Sequence, residues 1–373
     1  MEFTVHRTDA QTPARLGTIA TPHGSFDTPV FMPVGTQGTV KTMSPEELRE
    51  IGFGIILGNT YHLSLRPGAD IVARAGGLHR FMHWDGAILT DSGGYQVFSL
   101  ATLREISPRG VSFRSHIDGA AHFLSPERAV AIQEALGADI MMVLDECTPY
   151  PCAQDYACQS MERSLEWASR CKVARRSPHA ALFGIVQGGT YAALRTRSAA
   201  GLARIGFDGY AIGGLSVGEP GPLMLELVAH CCRELPGDRP RYLMGCGTPV
   251  EIVEAVARGV DMFDCVMPTR NGRNGTAFTA RGKLAVKNGA FKEDFRPIEE
   301  GCGCAACRHY TRAYLRHLFN AGEVLGLRLV TCHNLYFYHQ LMRRIREAIA
   351  AGTFERFRRE FIERYQRGGE SCT

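Results

Sequence analysis

A chain whose apolar residues come in short unbroken runs, each stopped by a glycine or polar residue and followed by a helical pattern, has few folds open to it. This sequence repeats that arrangement eight times, at 29–34, 54–59, 87–91, 141–145, 182–187, 210–214, 242–245 and 262–264. Apolar runs without alternation read as strands buried on both faces, the pattern of parallel sheets. Between them, Ser125-Pro126 and Thr248-Pro249 open helices, with a hydroxyl at the N-cap and proline at the first helical position. Residues 160–172 carry apolar or small side chains at helical spacing. Strand–helix alternation over eight cycles predicts an α/β protein built as a (β/α)8 TIM barrel. A doubly wound open sheet is the second choice, and no G-x-G-x-x-G after the first run supports it.

The 373 residues are read as one barrel domain, 1–373. The alternation breaks after Asp264. Residues from about 270 to 335, rich in glycine, basic residues and cysteine, are expected to form an inserted zinc-binding subdomain. Helices over 335–365 then pack back on the barrel, and the tail 368–373 frays. No apolar run approaches the ~20 residues that span a bilayer. The N-terminus lacks a basic start followed by an apolar stretch. The expected compartment is therefore the cytoplasm, with no membrane partner.

The formal charge is only +4, but residues 270–317 hold ten Lys/Arg against four Asp/Glu. A local basic excess suits contact with phosphates; a solvated surface is the plainer alternative. The 13 cysteines are an odd number, which in a cytoplasmic chain means free thiols or metal ligands. Most lie singly in apolar surroundings and read as small buried side chains. Cys302, Cys304 and Cys307 are different, because they fall within one short loop and are followed by Cys332-His333. Three thiolates and an imidazole make a closed tetrahedral zinc site with no position for substrate, hence a structural one. Spacing alone leaves His309, His317, Cys332 and His333 in competition for the fourth place.

Asp91, Asp145 and Asp264 each end a different apolar run. Strand ends on the C-terminal face of a barrel converge on one pocket. Carboxylates gathered there can serve as nucleophile, acid/base and recognition group, as in retaining glycosidases. Each taken singly could instead cap a helix. Gln187, Gly213 and Gly214 also end runs and add an amide and exposed backbone groups suited to the edge of a base. Tyr95, after the turn that follows Asp91, could stack on a flat ring.

Six stretches together resemble the bacterial-type tRNA-guanine transglycosylases, the queuine tRNA-ribosyltransferase family, from about Phe3 to Tyr365. They are LTDSGGYQ at 89–96, DECTP at 145–149, GIVQGG at 184–189, GGLSVGE at 213–219, DMFDCVMPTR at 261–270 and the Cys302/Cys304/Cys307…His333 set. The resemblance implies an enzyme of queuosine biosynthesis. It would exchange guanine at wobble position 34 of tRNAs with GUN anticodons (Asp, Asn, His, Tyr) for 7-aminomethyl-7-deazaguanine (preQ1). It implies Asp264 as nucleophile on the ribose C1′ and Asp91 as general acid/base. Asp145, Gln187, Gly214 and Leu215 would bind the base, with Tyr95 and Met244 on its faces. Arg270 and Arg273 would contact tRNA, His333 would complete one structural Zn2+ site per chain, and the enzyme would be a homodimer. Cys147 and Val217 fit the smaller aminomethyl base over queuine. Two other readings remain, a non-catalytic tRNA-binding partner subunit and a barrel nucleoside hydrolase. The first is expected to lose the nucleophile, and the second gives no reason for a basic zinc insertion.

Overall fold

The computed structural model describes residues 1–100 and 104–370. Eight parallel strands carry the eight apolar runs. They are β1 (Val30–Met32, resumed beyond Pro33 as Val34–Gly35), β2 (Ile55–Gly58), β3 (Ala87–Thr90), β4 (Ile140–Met142), β5 (Ala181–Val186), β6 (Gly209–Ile212), β7 (Arg241–Leu243) and β8 (Met262–Asp264). Proline has no N–H to give a ladder, so Pro33 divides β1 into two halves with different partners. Val30–Met32 pairs with β8 and Val34–Gly35 pairs with β2. That division joins the two ends of the sheet and closes it into a barrel. The strands' side chains are buried almost throughout, since one face fills the barrel and the other meets helices.

The outer helices pack in sequence: Pro126–Leu136 on Gln154–Ala174, then Ala192–Ile205, Gly221–Glu234 and Pro249–Val256. Both expected caps are present. The Ser125 hydroxyl accepts from the Arg128 N–H at 3.2 Å, and the Thr248 hydroxyl accepts from the Glu251 N–H at 3.2 Å. Beyond the last barrel strand, a second hydrophobic cluster forms around Ala277, Leu284, Val286, Ile298, Leu315 and Leu318. The helical stretch expected from residue 335 begins earlier, as Val324–Ala351, so Cys332 and His333 lie within it. This helix packs both on the strand Thr276–Thr279 and on the first half of β1. The terminal helix Phe354–Glu370 presents a stripe of Phe354, Phe357, Phe361 and Tyr365, stacked ring on ring. Residues 368–370 therefore continue a helix where fraying is expected; 371–373 lie outside the described residues.

Two small antiparallel sheets have no counterpart in the sequence reading. One, Arg104–Ser107, Gly110–Arg114 and Ala121–Leu124, is inserted between β3 and its helix. The other, Glu2–Thr8, Arg15–Thr21 and Gly24–Thr28, is anchored at residues that immediately precede barrel strands. Arg15 forms a buried ion pair with Asp261, and His23 Nδ1 lies 2.7 Å from Asp139 Oδ1. It thus sits at the N-terminal mouth, opposite the end where strand-terminal aspartates gather. Among the described residues no helix is long and apolar enough to cross a membrane.

Candidate active site and metal centre

Asp91 follows directly on β3 and is buried. Both its oxygens are held, Oδ1 by the Thr60 N–H at 2.8 Å and Oδ2 by the Asn59 amide. Burial nevertheless pushes its carboxyl up to about 6, and negative charge on Asp264 adds to the rise. Asp264 therefore lies close enough for the two charges to interact. It ends β8, with Oδ1 accepting from the Tyr242 hydroxyl at 2.6 Å and the Gly245 N–H at 2.9 Å. Its Oδ2 takes no hydrogen bond from the described residues. Burial pushes the Asp264 carboxyl up as well, opposed by those two donors. The adjacent Cys265 thiol is pushed up to about 11 by burial, so it stays protonated at neutral pH.

Asp145 lies three residues past the end of β4, on a buried loop rather than at the strand terminus. Its Oδ2 accepts from the Gln187 amide at 2.7 Å and its Oδ1 from the Ser92 hydroxyl at 3.4 Å. Burial pushes this carboxyl, too, up to about 6. The turn after Asp91 has to be glycine at 94, because a Cβ there would stand 2.7 Å from the Asp145 carbonyl oxygen. Gln187 follows β5 and is 1% exposed, and its Oε1 has no hydrogen-bond partner among the described residues. An unpaired buried acceptor is costly unless a ligand supplies the donor. Gly214 has φ of 62°, and a Cβ on it would lie 2.3 Å from that same Oε1. Its N–H finds no acceptor among the described residues. A carboxylate, an orphaned amide oxygen and a free N–H thus sit side by side, a set suited to a planar heterocycle with donors and acceptors on one edge.

Leu215 is buried beside Gly214, and Met244 is half-buried just beyond β7. Tyr95, 50% exposed, stands close enough to Arg270 to feel its charge. Arg270 is exposed and Arg273 half-buried on the helix Met267–Arg273, which leaves β8 directly after Asp264. Burial and the neighbouring Arg270 lower the Arg273 pKa, and one Arg273 guanidinium nitrogen is buried without a partner among the described residues. The rim next to Asp264 is thus cationic and under-satisfied.

The four cysteine and histidine donors come together. Cys302, Cys304 and Cys307 place Sγ at 3.8, 3.5 and 3.4 Å from His333 Nδ1. A tetrahedral ion with ordinary Zn–S and Zn–N bonds gives an S···N edge of about 3.6 Å. His333 Nε2 lies 2.8 Å from the Phe278 carbonyl. As a donor to that oxygen it leaves the Nδ1 lone pair for a metal. The group can hold a metal ion. Cys332 stays outside it, because neighbouring residues on a helix point about 100° apart, and partial burial pushes its thiol up to about 11. His309 and His317 are outside it too.

His23, His79 and Asp139 form a second cluster at the opposite mouth. The two imidazoles stack at 3.6 Å with planes 17° apart. No point near both rings lies in both planes, as chelation needs. The cluster is better described as two imidazoles sharing one carboxylate, which also accepts from the Ile88 N–H at 2.9 Å.

Four residues of the site escaped the sequence reading: Asn59, Ser92, Tyr242 and Arg195, whose guanidinium donates to the Gly213 and Gly214 carbonyls. Asn59 ends its run just as the aspartates do, so the same rule finds it. Ser92 and Tyr242 carry no signal of their own. Arg195 interrupts the apolar face formed by Leu194, Ser198, Ala199 and Leu202, all buried, and is itself 0% exposed. A cation at that register was the available clue.

The comparisons agree with this architecture. The family model described as queuine tRNA-ribosyltransferase matches residues 9–367. Relatives of that name include three from different bacteria. The one from Symbiobacterium thermophilum is 60% identical over 97% of this chain and 91% of its own length. That from Desulforudis audaxviator is 59% identical over 96% of this chain and 97% of its own. That from Pelotomaculum thermopropionicum is 58% identical over 98% and 99%. With a family match that spans the barrel, the strand-end aspartates and the Cys3His cluster alike, the chain belongs to the queuine tRNA-ribosyltransferase family.

Proposed function

We propose that this protein is a tRNA-guanine transglycosylase that exchanges the guanine at wobble position 34 of GUN-anticodon tRNAs (Asp, Asn, His, Tyr) for preQ1 in queuosine biosynthesis. The observation that carries the role assignment is the unequal occupancy of the two carboxylates. Asp91 has both oxygens engaged, whereas Asp264 has one oxygen anchored and the other free. A carboxylate steadied on one side and open on the other is fitted to attack the ribose C1′. Asp264 forms the new C–O bond as the C1′–N9 bond breaks, and guanine leaves with the bond's electrons. Asp91, with a carboxyl titrating at about 6, supplies a proton to the leaving base and takes one from the incoming base. The second displacement breaks the aspartyl–ribose bond and restores the original configuration.

Asp145 and Gln187 read the ring N–H and amino edge, the Gly214 N–H the ring carbonyl, and the Leu215 carbonyl the aminomethyl group. Tyr95 and Met244 cover the ring faces. The base is splayed out of the anticodon loop, because a stacked base hides the bond that must break. Arg270 and Arg273 take the loop phosphates. One Zn2+ held by Cys302, Cys304, Cys307 and His333 ties the unit from about 270 to 335 to the long helix; it is structural and takes no part in the chemistry. The enzyme acts as a cytoplasmic homodimer. One assay tests the reading: a GUN-anticodon tRNA incubated with labelled guanine. Incorporation is expected. Binding without incorporation points to a partner subunit, and base release without incorporation to a hydrolase.

A further inference from the structure

We propose that Arg195 is a positioning residue that aims the Gly214 N–H at the substrate base, and that guanine selectivity depends on it. The inference rests on the base-exchange reading above. Arg195 lies in the first turn of the helix Ala192–Ile205 and is fully buried. Its guanidinium donates only to uncharged groups. Nε reaches the Gly189 carbonyl at 2.8 Å, both terminal nitrogens reach the Gly213 carbonyl at 3.0 Å, and one of them reaches the Gly214 carbonyl at 3.2 Å. The remaining contact is a long one to the Cys231 sulfur, 3.9 Å. Among the described residues no carboxylate pairs with it.

Stability alone does not account for that placement. An uncompensated buried cation costs free energy, and the N-terminal turn of a helix disfavours positive charge. What the guanidinium does is join the loops that follow β5 and β6. In a trans peptide the C=O and N–H point in opposite directions. By holding the Gly213 oxygen with two donors, Arg195 turns the N–H of the same peptide, that of Gly214, away from itself. That N–H meets no acceptor among the described residues, and the orphaned Gln187 Oε1 lies beside it. The planar fork holds two successive carbonyls at once, which a lysine ammonium on a flexible stem does less well. The outcome is a fixed donor for a ring carbonyl, prepared before the base arrives.

The test compares binding of guanine and 2-aminopurine to the full-length enzyme and to Arg195→Met and Arg195→Lys. 2-Aminopurine lacks the 6-carbonyl. It also lacks the N1–H, but Arg195 does not touch the Asp145 side that reads it, so that difference cancels between variants. The unmodified enzyme is expected to prefer guanine. Arg195→Met is expected to narrow the preference about tenfold, the value of one hydrogen bond, through weaker guanine binding alone. Arg195→Lys is expected to fall between. Zinc content and thermal unfolding show that each variant is folded. An unchanged preference in folded Arg195→Met overturns the inference. So does an equal loss of both bases, or a failure of both variants to fold, since Arg195 would then serve only the barrel. If the unmodified enzyme itself does not distinguish the two bases, the reading of the pocket fails, and the inference goes with it.

Discussion

The Tyr242 hydroxyl donates to Asp264 Oδ1 at 2.6 Å, from one barrel strand to the next. Burial and nearby negative charge push the Tyr242 pKa well above its usual value, so it remains a donor. Its hydrogen bond favours the ionised form of Asp264 and opposes the rise that burial causes. Tyr242→Phe removes this opposition, and the Asp264 carboxyl rises further. The form proposed to attack is the carboxylate, which is lost as pH falls through that pKa. The acidic limb of the base-exchange profile is expected to move to higher pH, with the rate down about tenfold at low pH and far less on the alkaline side. A parallel drop at every pH would count against Tyr242 acting through Asp264 ionisation.

Asp264→Asn keeps the shape of the site and removes the charge proposed to attack. It is expected to bind tRNA normally and to form no covalent adduct on a denaturing gel, with exchange reduced by at least about a thousandfold. An adduct that persists would move the nucleophile elsewhere.

Asp145→Asn tests what burial does to the empty pocket. The Asp145 carboxyl titrates at about 6 in the folded protein against a usual value of 3.8. The folded state therefore holds a proton that the unfolded chain releases. That contribution is fully present below the usual value and is lost as pH rises through about 6. At neutral pH the ionised side chain is a burden that asparagine lacks. The Gln187 amide still finds an oxygen, and the Ser92 hydroxyl can turn to accept. The variant is expected to be more stable than the parent at pH 7.5, by on the order of 2–3 kcal/mol, and so to unfold at a higher temperature. The gain should vanish near pH 4, while base binding is lost. Calorimetry at the two pH values decides it.

About one zinc per chain is expected by elemental analysis. Cys304→Ser should lose the metal and lower the unfolding temperature, because an ion held by this cluster would tie a loop to the long helix that also packs on β1. His333→Ala should do the same, whereas Cys332→Ser, outside the cluster, should keep both metal and stability. Metal loss in Cys332→Ser would show that the wrong side chain of the 332–333 pair has been assigned.

Arg270→Ala is expected to raise KM for tRNA and leave the affinity for free guanine unchanged. The salt dependence of tRNA binding should fall by about one charge's worth, the signature of a lost phosphate contact. An unaltered salt slope would place Arg270 off the RNA.

Local patterns determined much of this protein before any coordinates. The eight barrel strands follow from apolar runs buried on both faces. The caps at Ser125 and Thr248 are properties of a few consecutive residues, and so is the close spacing of Cys302, Cys304 and Cys307. The small antiparallel sheets were missed, because edge strands in short hairpins leave only a weak alternation. Strand-end position also treats Asp91 and Asp264 alike. What tells them apart is which oxygen meets which donor, and those donors arrive from other strands and loops: Asn59, Thr60, Tyr242 and Gly245. The choice of His333 over Cys332 depends on the phase of a helix that begins sooner than its apolar pattern suggests. Sequence thus specified the elements and the chemical inventory. Closure of the barrel through the divided first strand decided which carboxylates face each other and which of their oxygens stay free, because contacts between distant segments exist only once the chain has been brought round on itself.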